Sequence, residues 1–325
     1  MLTSALLSGL AASQIGEPSA RLLQGISTLS PVRTAQGYRT EGVRFRLENR
    51  GGALYGVSGE ATLNPEGRRA LAQLVGAATG YGDGIAGPVA EFLGARAAAL
   101  AGQGEVSLAV EEFVLMLDVS GDAVPYGARF GLELLSVPPE RFPAAAHALG
   151  PPHARVVIRE FSDFQCPYCA QYASETLPAL KEALLSRGDV RFEFHHLPLS
   201  SIHANAQLAA EAAECVAAAN PPGAFWTFHD ALFARQAAWA SLEGAGPYFV
   251  RLAREVRLSG DGVAACLEGG RYTREVQEAF RVATEELGLN STPSVFVGPY
   301  RVPAGAAGTL AGYERALARL EAFAE

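Results

Sequence analysis

The 325-residue chain reads as an α/β protein: a β-α-β sheet core with helices on both faces and an all-helical insertion, preceded by a smaller α+β domain with an antiparallel sheet. Three observations predict this. Val156, Val157 and Ile158 form a short β-branched run suited to a buried strand, and Cys166-Pro167-Tyr168-Cys169 then opens a helical segment through about Leu185. An alternating central strand at 190–199 is followed by helical stretches at 204–219, 225–233 and 248–255, the insertion. Upstream of residue 150, alternating segments and turn residues come in the order β-β-α-α-β-β. Pro138-Pro139, Pro143 and Pro151-Pro152 mark the boundary, so the expected domains are 1–150 and 151–325.

In the first domain, Val43, Phe45 and Leu47 share one face of a strand. A turn at 49–52 leads to a returning strand carrying Tyr55, Val57, Ala61 and Leu63. Asn64 with Pro65 starts a helix through Leu71, Leu74 and Val75, and residues 88–100 make a second one. Residues 106–119 and 128–137 read as a further strand pair. Gly82-Asp83-Gly84-Ile85-Ala86-Gly87 fits the dinucleotide-binding spacing, but that motif needs a preceding strand. Here 76–87 is expected to be a glycine-rich loop between two helices. No catalytic constellation falls in this domain, and the sequence assigns it no role.

Composition narrows the function. Net charge is −8 and acids outnumber bases in both halves, so no basic patch invites nucleic acid. Residues 1–12 are apolar and small, yet a bilayer span needs about 20 such residues, and Glu17 brings the first charge. No membrane span is expected. A signal peptide needs a basic start, and no base precedes Arg21, so a packed first helix is expected, with the remnant of an export signal as the alternative.

All four cysteines lie after residue 150. With Pro167 at the first helical position, Cys166 falls at the N-cap, where backbone N–H groups and the positive helix end favour thiolate. Its pKa is expected in the upper part of the roughly 3.5–7.5 range of such sites. Cys169 lies one turn on and can close a disulfide with it. A structural zinc site would need four ligands, commonly from two such pairs, and Cys215 and Cys266 stand alone; no metal is expected. The chemistry expected is dithiol–disulfide exchange. Glu160 shares its strand side with Ile158, which favours burial.

Residues from about 153 to the end resemble the DsbA-type thiol oxidoreductases of the thioredoxin fold. The landmarks are Glu160-Phe-Ser-Asp-Phe-Gln-Cys-Pro-Tyr-Cys169, His195-His-Leu-Pro-Leu with His203, Phe225-Trp226 with Phe228-His229-Asp230 and Leu232-Phe233, Cys266-Leu-Glu-Gly-Gly, and Thr292-Pro293-Ser-Val-Phe-Val. The pair Pro167-Tyr168 departs from the family's Pro-His and is the one familiar from glutaredoxins, which leaves the direction of reaction open. The resemblance implies that Cys166 attacks, that Cys169 resolves the mixed disulfide, and that buried Glu160 takes the proton from Cys169. It also implies that Pro293 is cis and faces the cysteines, with Thr292, Pro167 and Tyr168 meeting the substrate. Relatives of this type sometimes join cysteines at the positions of Cys215 and Cys266; two small core cysteines are the alternative. The function so implied is a protein thiol–disulfide oxidoreductase acting on cysteine-containing proteins, with a redox recycling partner and no cofactor. Its expected location is extracytoplasmic, the periplasm or cell envelope, with the cytoplasm as alternative. A reductase or isomerase, or a partner-binding protein whose first domain is the working part, are the other readings.

Overall fold

The computed structural model describes residues 13–324; the apolar segment 1–12, read above as a helix or export remnant, lies outside them. The chain forms two compact units. One takes the chain through Ser136 and resumes from Glu314, and the other holds Val137–Tyr313.

The first unit is built from α1 (Ser19–Gly25), β1 (Val32–Thr34), β2 (Gly37–Thr40), β3 (Val43–Arg50), β4 (Ala53–Thr62), α2 (Pro65–Thr79), α3 (Asp83–Leu100), β5 (Glu105–Val110), β6 (Phe113–Ser120) and β7 (Gly127–Leu134). Its seven strands form one antiparallel sheet in the order β1-β2-β3-β4-β7-β6-β5. Val43, Phe45, Leu115, Leu117, Phe130 and Leu132 are buried on one face, as period-two alternation requires. The other face carries a row of charges in cross-strand register, Arg44, Glu60, Arg129 and Asp118. Asn64 caps α2 by accepting the Gly67 N–H at 2.8 Å.

Four sequence expectations here need correction. Residues 106–119 are not one strand but the hairpin β5–β6, because Glu111 takes φ +55°. Its turn holds no Gly, Asn or Pro, and Tyr81 Oη donates to the buried Glu112 carboxylate at 2.7 Å instead. The glycine-rich loop shrinks to Gly80–Gly82, for α2 runs to Thr79 and α3 begins at Asp83 rather than Pro88. Within 76–87 only this turn takes left-handed backbone, Gly80 at φ +81° and Gly82 at +53°, and a Cβ on Gly76 would run into the Gly82 carbonyl. The strand expected over 128–137 ends at Leu134. Strands β1 and β2 went unread because β1 is wholly exposed and has no burial pattern.

The second unit contains β8 (His147–Leu149), β9 (Val156–Ser162), α4 (Pro167–Gln171), α5 (Leu177–Ala183), β10 (Val190–His196), α6 (Ala206–Ala219), α7 (Ala224–Ala234), α8 (Gln236–Trp239), α9 (Gly246–Glu255), α10 (Gly260–Glu268), α11 (Thr273–Arg281), β11 (Ser294–Val297), β12 (Tyr300–Val302) and α12 (Ala304–Ala307); α13 (Leu310–Ala324) starts within it. The sheet order is β12-β11-β9-β10-β8. The β9–β10 pair is parallel and the other pairs are antiparallel. With α6–α11 as the all-helical insertion, this is the thioredoxin fold. Both faces of the central strands are covered, so β10 is buried at nearly every position.

Two departures matter near the site. The helix expected from Cys166 to Leu185 is interrupted by a π turn at Tyr172–Thr176 between α4 and α5, just before Pro178, whose missing N–H cannot continue the ladder. The proline-rich boundary contributes the edge strand β8, fixed by backbone pairing to β10. Among the described residues, no helix is long and apolar enough to cross a membrane.

Candidate active site

Strand β9 ends at Ser162, and the loop Asp163–Gln165 delivers Cys166 to the N-cap of α4 with φ −71° and ψ 125°, Pro167 occupying the first turn. The loop is held by Asp163, whose buried carboxylate accepts from Gln165 N at 2.7 Å, Leu199 N at 2.9 Å and lies 2.7 Å from His203 Nδ1. Cys166 and Cys169 are free thiols. Cys169 is sealed in while Cys166 keeps 5% of its surface, and Tyr168 between them is 70% exposed.

The two sulfurs are electrostatically unlike. The Cys169 thiol beside it pulls Cys166 down to about 6, and Thr292 and the backbone N–H groups of Cys169 and Tyr168 add to this, against the upward push of burial. Cys169 goes the other way. Burial pushes its thiol well above the usual range, and the Cys166 sulfur and Glu160 reinforce the push. One turn of helix thus separates a thiol shifted toward thiolate from a sulfur shifted toward its protonated form.

Glu160 faces inward from β9 and is wholly buried. Burial pushes its carboxyl up to about 8, against an opposing pull from the Ser162 hydroxyl. Neither carboxylate oxygen has a hydrogen-bond partner among the described residues. Tyr172 and Tyr313, their hydroxyls 2.7 Å apart, are buried too, and burial raises the pKa of both, with Glu160 adding to the push.

The Thr292–Pro293 bond is cis and leads into β11, which pairs antiparallel with β9 so that Val295 sits opposite Glu160. The Cys166 thiol donates to the Thr292 carbonyl at 3.5 Å. Arg301 supports the loop by donating to Ser291 Oγ at 3.3 Å and Ser294 Oγ at 2.9 Å. Thus Glu160, Cys166 and Cys169, from one stretch of chain, and Thr292 and Pro293, from another more than 120 residues on, meet at one end of the sheet. Cys215 and Cys266 lie apart from them, on α6 and α10, joined by a disulfide with Cα atoms 5.7 Å apart. No cluster of three or more His, Cys, Asp or Glu side chains able to hold a metal ion occurs among the described residues.

Sequence reading missed the amide side chains that attach this loop to the insertion. Gln165 donates to the Ala240 carbonyl at 2.7 Å and accepts from Asn205 N at 2.7 Å, while Asn205 Nδ2 donates to Leu242 O at 2.8 Å. Neutral amides to distant carbonyls leave no periodicity or spacing in a sequence. The buried pair of His147 and His196 on the Glu214 carboxylate, at 2.9 and 2.7 Å, was likewise unread.

The chain is 36% identical over 203 residues to "Na(+)/H(+) antiporter NhaA 3" of Salinispora tropica, covering 60% of this chain and 28% of that protein. It is 35% identical over 88 residues to "Disulfide bond formation protein D" of Bacillus subtilis, covering 27% of this chain and 38% of that one. The chain therefore spans well under half the length of these relatives. Among solved structures, oxidised BdbD from Bacillus subtilis superposes with a TM-score of 0.49 at 20% identity, covering 58% of this chain and 97% of that chain. The sequence profile described as thioredoxin matches residues 144–317, more than half of the chain. This chain belongs to the thioredoxin family.

Proposed function

We propose that the chain is a protein thiol–disulfide oxidoreductase of the DsbA type that works as a disulfide donor. The observation that carries the reading is the opposite displacement of the two cysteines, Cys166 down to about 6 and Cys169 well upward, beside the cis-Pro293 loop. A stabilised Cys166 thiolate stabilises the reduced dithiol, which makes the disulfide form the stronger oxidant. A substrate thiolate attacks Cys166 Sγ of the oxidised site, breaking its bond to Cys169 and forming a mixed disulfide. Cys169 leaves as thiolate in an apolar pocket. Glu160, still largely protonated near neutral pH, supplies its proton. A second substrate thiolate then attacks the substrate sulfur, forming the substrate disulfide and releasing Cys166 as thiolate. Read backwards, the same steps have Glu160 accepting the proton from Cys169 as it resolves the mixed disulfide.

Thr292, Pro167 and Tyr168 are the substrate-facing residues in this reading, the Thr292 backbone pairing with an extended peptide. Substrates are cysteine-containing proteins, and a separate redox partner reoxidises the dithiol. The Cys215–Cys266 bond supports an oxidising, extracytoplasmic compartment.

The test is capture and potential together. Reduced Cys169→Ser should attack an unfolded protein whose cysteine is blocked as a disulfide with a labelled thiol, releasing the label as thiolate and accumulating a mixed disulfide through Cys166, and Cys166→Ser should accumulate none. Equilibration of the wild-type pair against glutathione should give a potential well above thioredoxin's roughly −270 mV. A potential at or below that value, with captured intermediates, assigns the reductase direction instead.

A further inference from the structure

We infer that Gln236 is a positioning residue for Cys166: its side-chain amide clamps the backbone on both sides of the nucleophile and ties the sulfur's orientation to the helical insertion. Gln236 opens α8, and its Nε2 donates to the Phe164 carbonyl at 2.8 Å and to the Cys166 carbonyl at 2.9 Å. A primary amide has two N–H groups, so these acceptors use its full donor capacity. The Cys166 carbonyl also accepts the helical N–H of Ala170 at 3.1 Å, so it is pinned from the α4 side and from the insertion at once.

The anchor behind Gln236 is firm. Trp239, three residues on, is fully buried and donates its indole N–H to the Leu232 carbonyl at 2.9 Å. Asn205 binds the carbonyls that follow it, and Gln165 returns from the active-site loop to Ala240. The amide therefore bears on the loop from a fixed support.

The clamp matters because Cys166 is an N-cap. Its backbone is extended at the helix start, and its sulfur makes no capping hydrogen bond there; the pull of the Cys169 and Tyr168 backbone N–H groups on the thiolate depends on that placement. Turning the Cys166–Pro167 peptide would carry carbonyl and sulfur away together. Two donated N–H groups also withdraw negative potential from the carbonyls nearest the thiolate. The catalytic meaning rests on the exchange function proposed above, but the effect on the thiol does not.

The experiment measures the pH dependence of Cys166 alkylation by iodoacetamide in the reduced full chain, with the modified residue identified by mass. Gln236→Leu should raise the Cys166 pKa by about half to one unit, the scale of one lost hydrogen bond, and slow alkylation at pH 6 about two- to fivefold. Gln236→Glu, which sets a carboxylate against two carbonyls, should exceed it. Asn220→Leu removes two bonds elsewhere in the insertion, to Val216 O and Ser259 N, and should leave the Cys166 pKa in place, separating positioning from general loosening. If Gln236→Leu does not fold, Gln236→Asn, one methylene short of both carbonyls, decides in the same way. A folded Gln236 variant with an unchanged alkylation profile overturns the inference. Wild-type protein that alkylates as expected but exchanges no disulfide would refute the proposed function and leave the clamp standing.

Discussion

The two sheets of this protein solve the same burial problem differently. In the first, apolar side chains take one face and the charges Arg44, Glu60, Arg129 and Asp118 take the other, where Arg44 and Arg129 are about three-quarters exposed at 73% and 75%. In the second, both faces are covered, and Glu160, Glu193, His195 and His196 are buried along with the hydrophobic residues. Sequestering an ionisable group costs several kcal/mol unless it is paired or neutralised. Glu193 is paired, with Arg159 at 3.1 Å and Arg191 at 2.9 Å, and is held down to about 2 although burial pushes against it. Glu160 is not, and sits at about 8. A buried carboxyl left without an ionic partner, and neutral only because it holds its proton, marks beside two cysteines where fold stability has been traded for chemistry.

Measurements can break this comparison. The largest effect expected is from replacing both Cys215 and Cys266 with Ala. The bond closes a loop 51 residues long in sequence, so its loss should cost up to about 4 kcal/mol in the chain-entropy account, read by urea unfolding with the active-site dithiol reduced. A loss under about 1 kcal/mol would mean that the helical packing of the insertion suffices alone.

Next is the linkage of Cys166 to pH. A thiol lowered from 9.0 to about 6 stabilises the folded reduced protein fully above pH 9, and that contribution is lost as pH falls through 6. The stability of reduced relative to oxidised protein should therefore grow between pH 6 and 9, by on the order of 3 kcal/mol. A flat difference would remove the thiolate stabilisation on which the donor direction depends.

Glu160 has the opposite sign. Its folded pKa is raised, so the unfolded chain ionises first, and stability falls as pH rises from about 4.5 to about 8. Relative to wild type, Glu160→Gln should gain on the order of 4 kcal/mol across that window, after an offset for the buried amide that does not vary with pH. The same variant should slow the Cys169-dependent step more than the first attack. Equal slowing of both would remove its role in proton transfer. The smallest effect belongs to the first sheet: Arg129→Ala breaks an exposed ion pair with Asp118 and should leave the urea unfolding midpoint nearly unchanged. A clear fall in that midpoint would show that the charged face is not simply solvated.

What could be read from residues alone was what local chemistry specifies. The β-branched run before Cys166, the proline after it and the inward parity of Glu160 follow from short-range sterics and period-two geometry, which a sequence displays directly. The hairpin at Glu111 was hidden because unbroken alternation on both sides of a turn without glycine looks like one strand. The edge strand β8 and the exposed strand β1 bury too little to leave a pattern. Tertiary structure alone decided that Thr292 meets Cys166 across 126 residues of chain and that Gln236 reaches its carbonyl across 70. Single hydrogen bonds between distant residues are specified by the packing of everything between them, and no short window of sequence contains that packing.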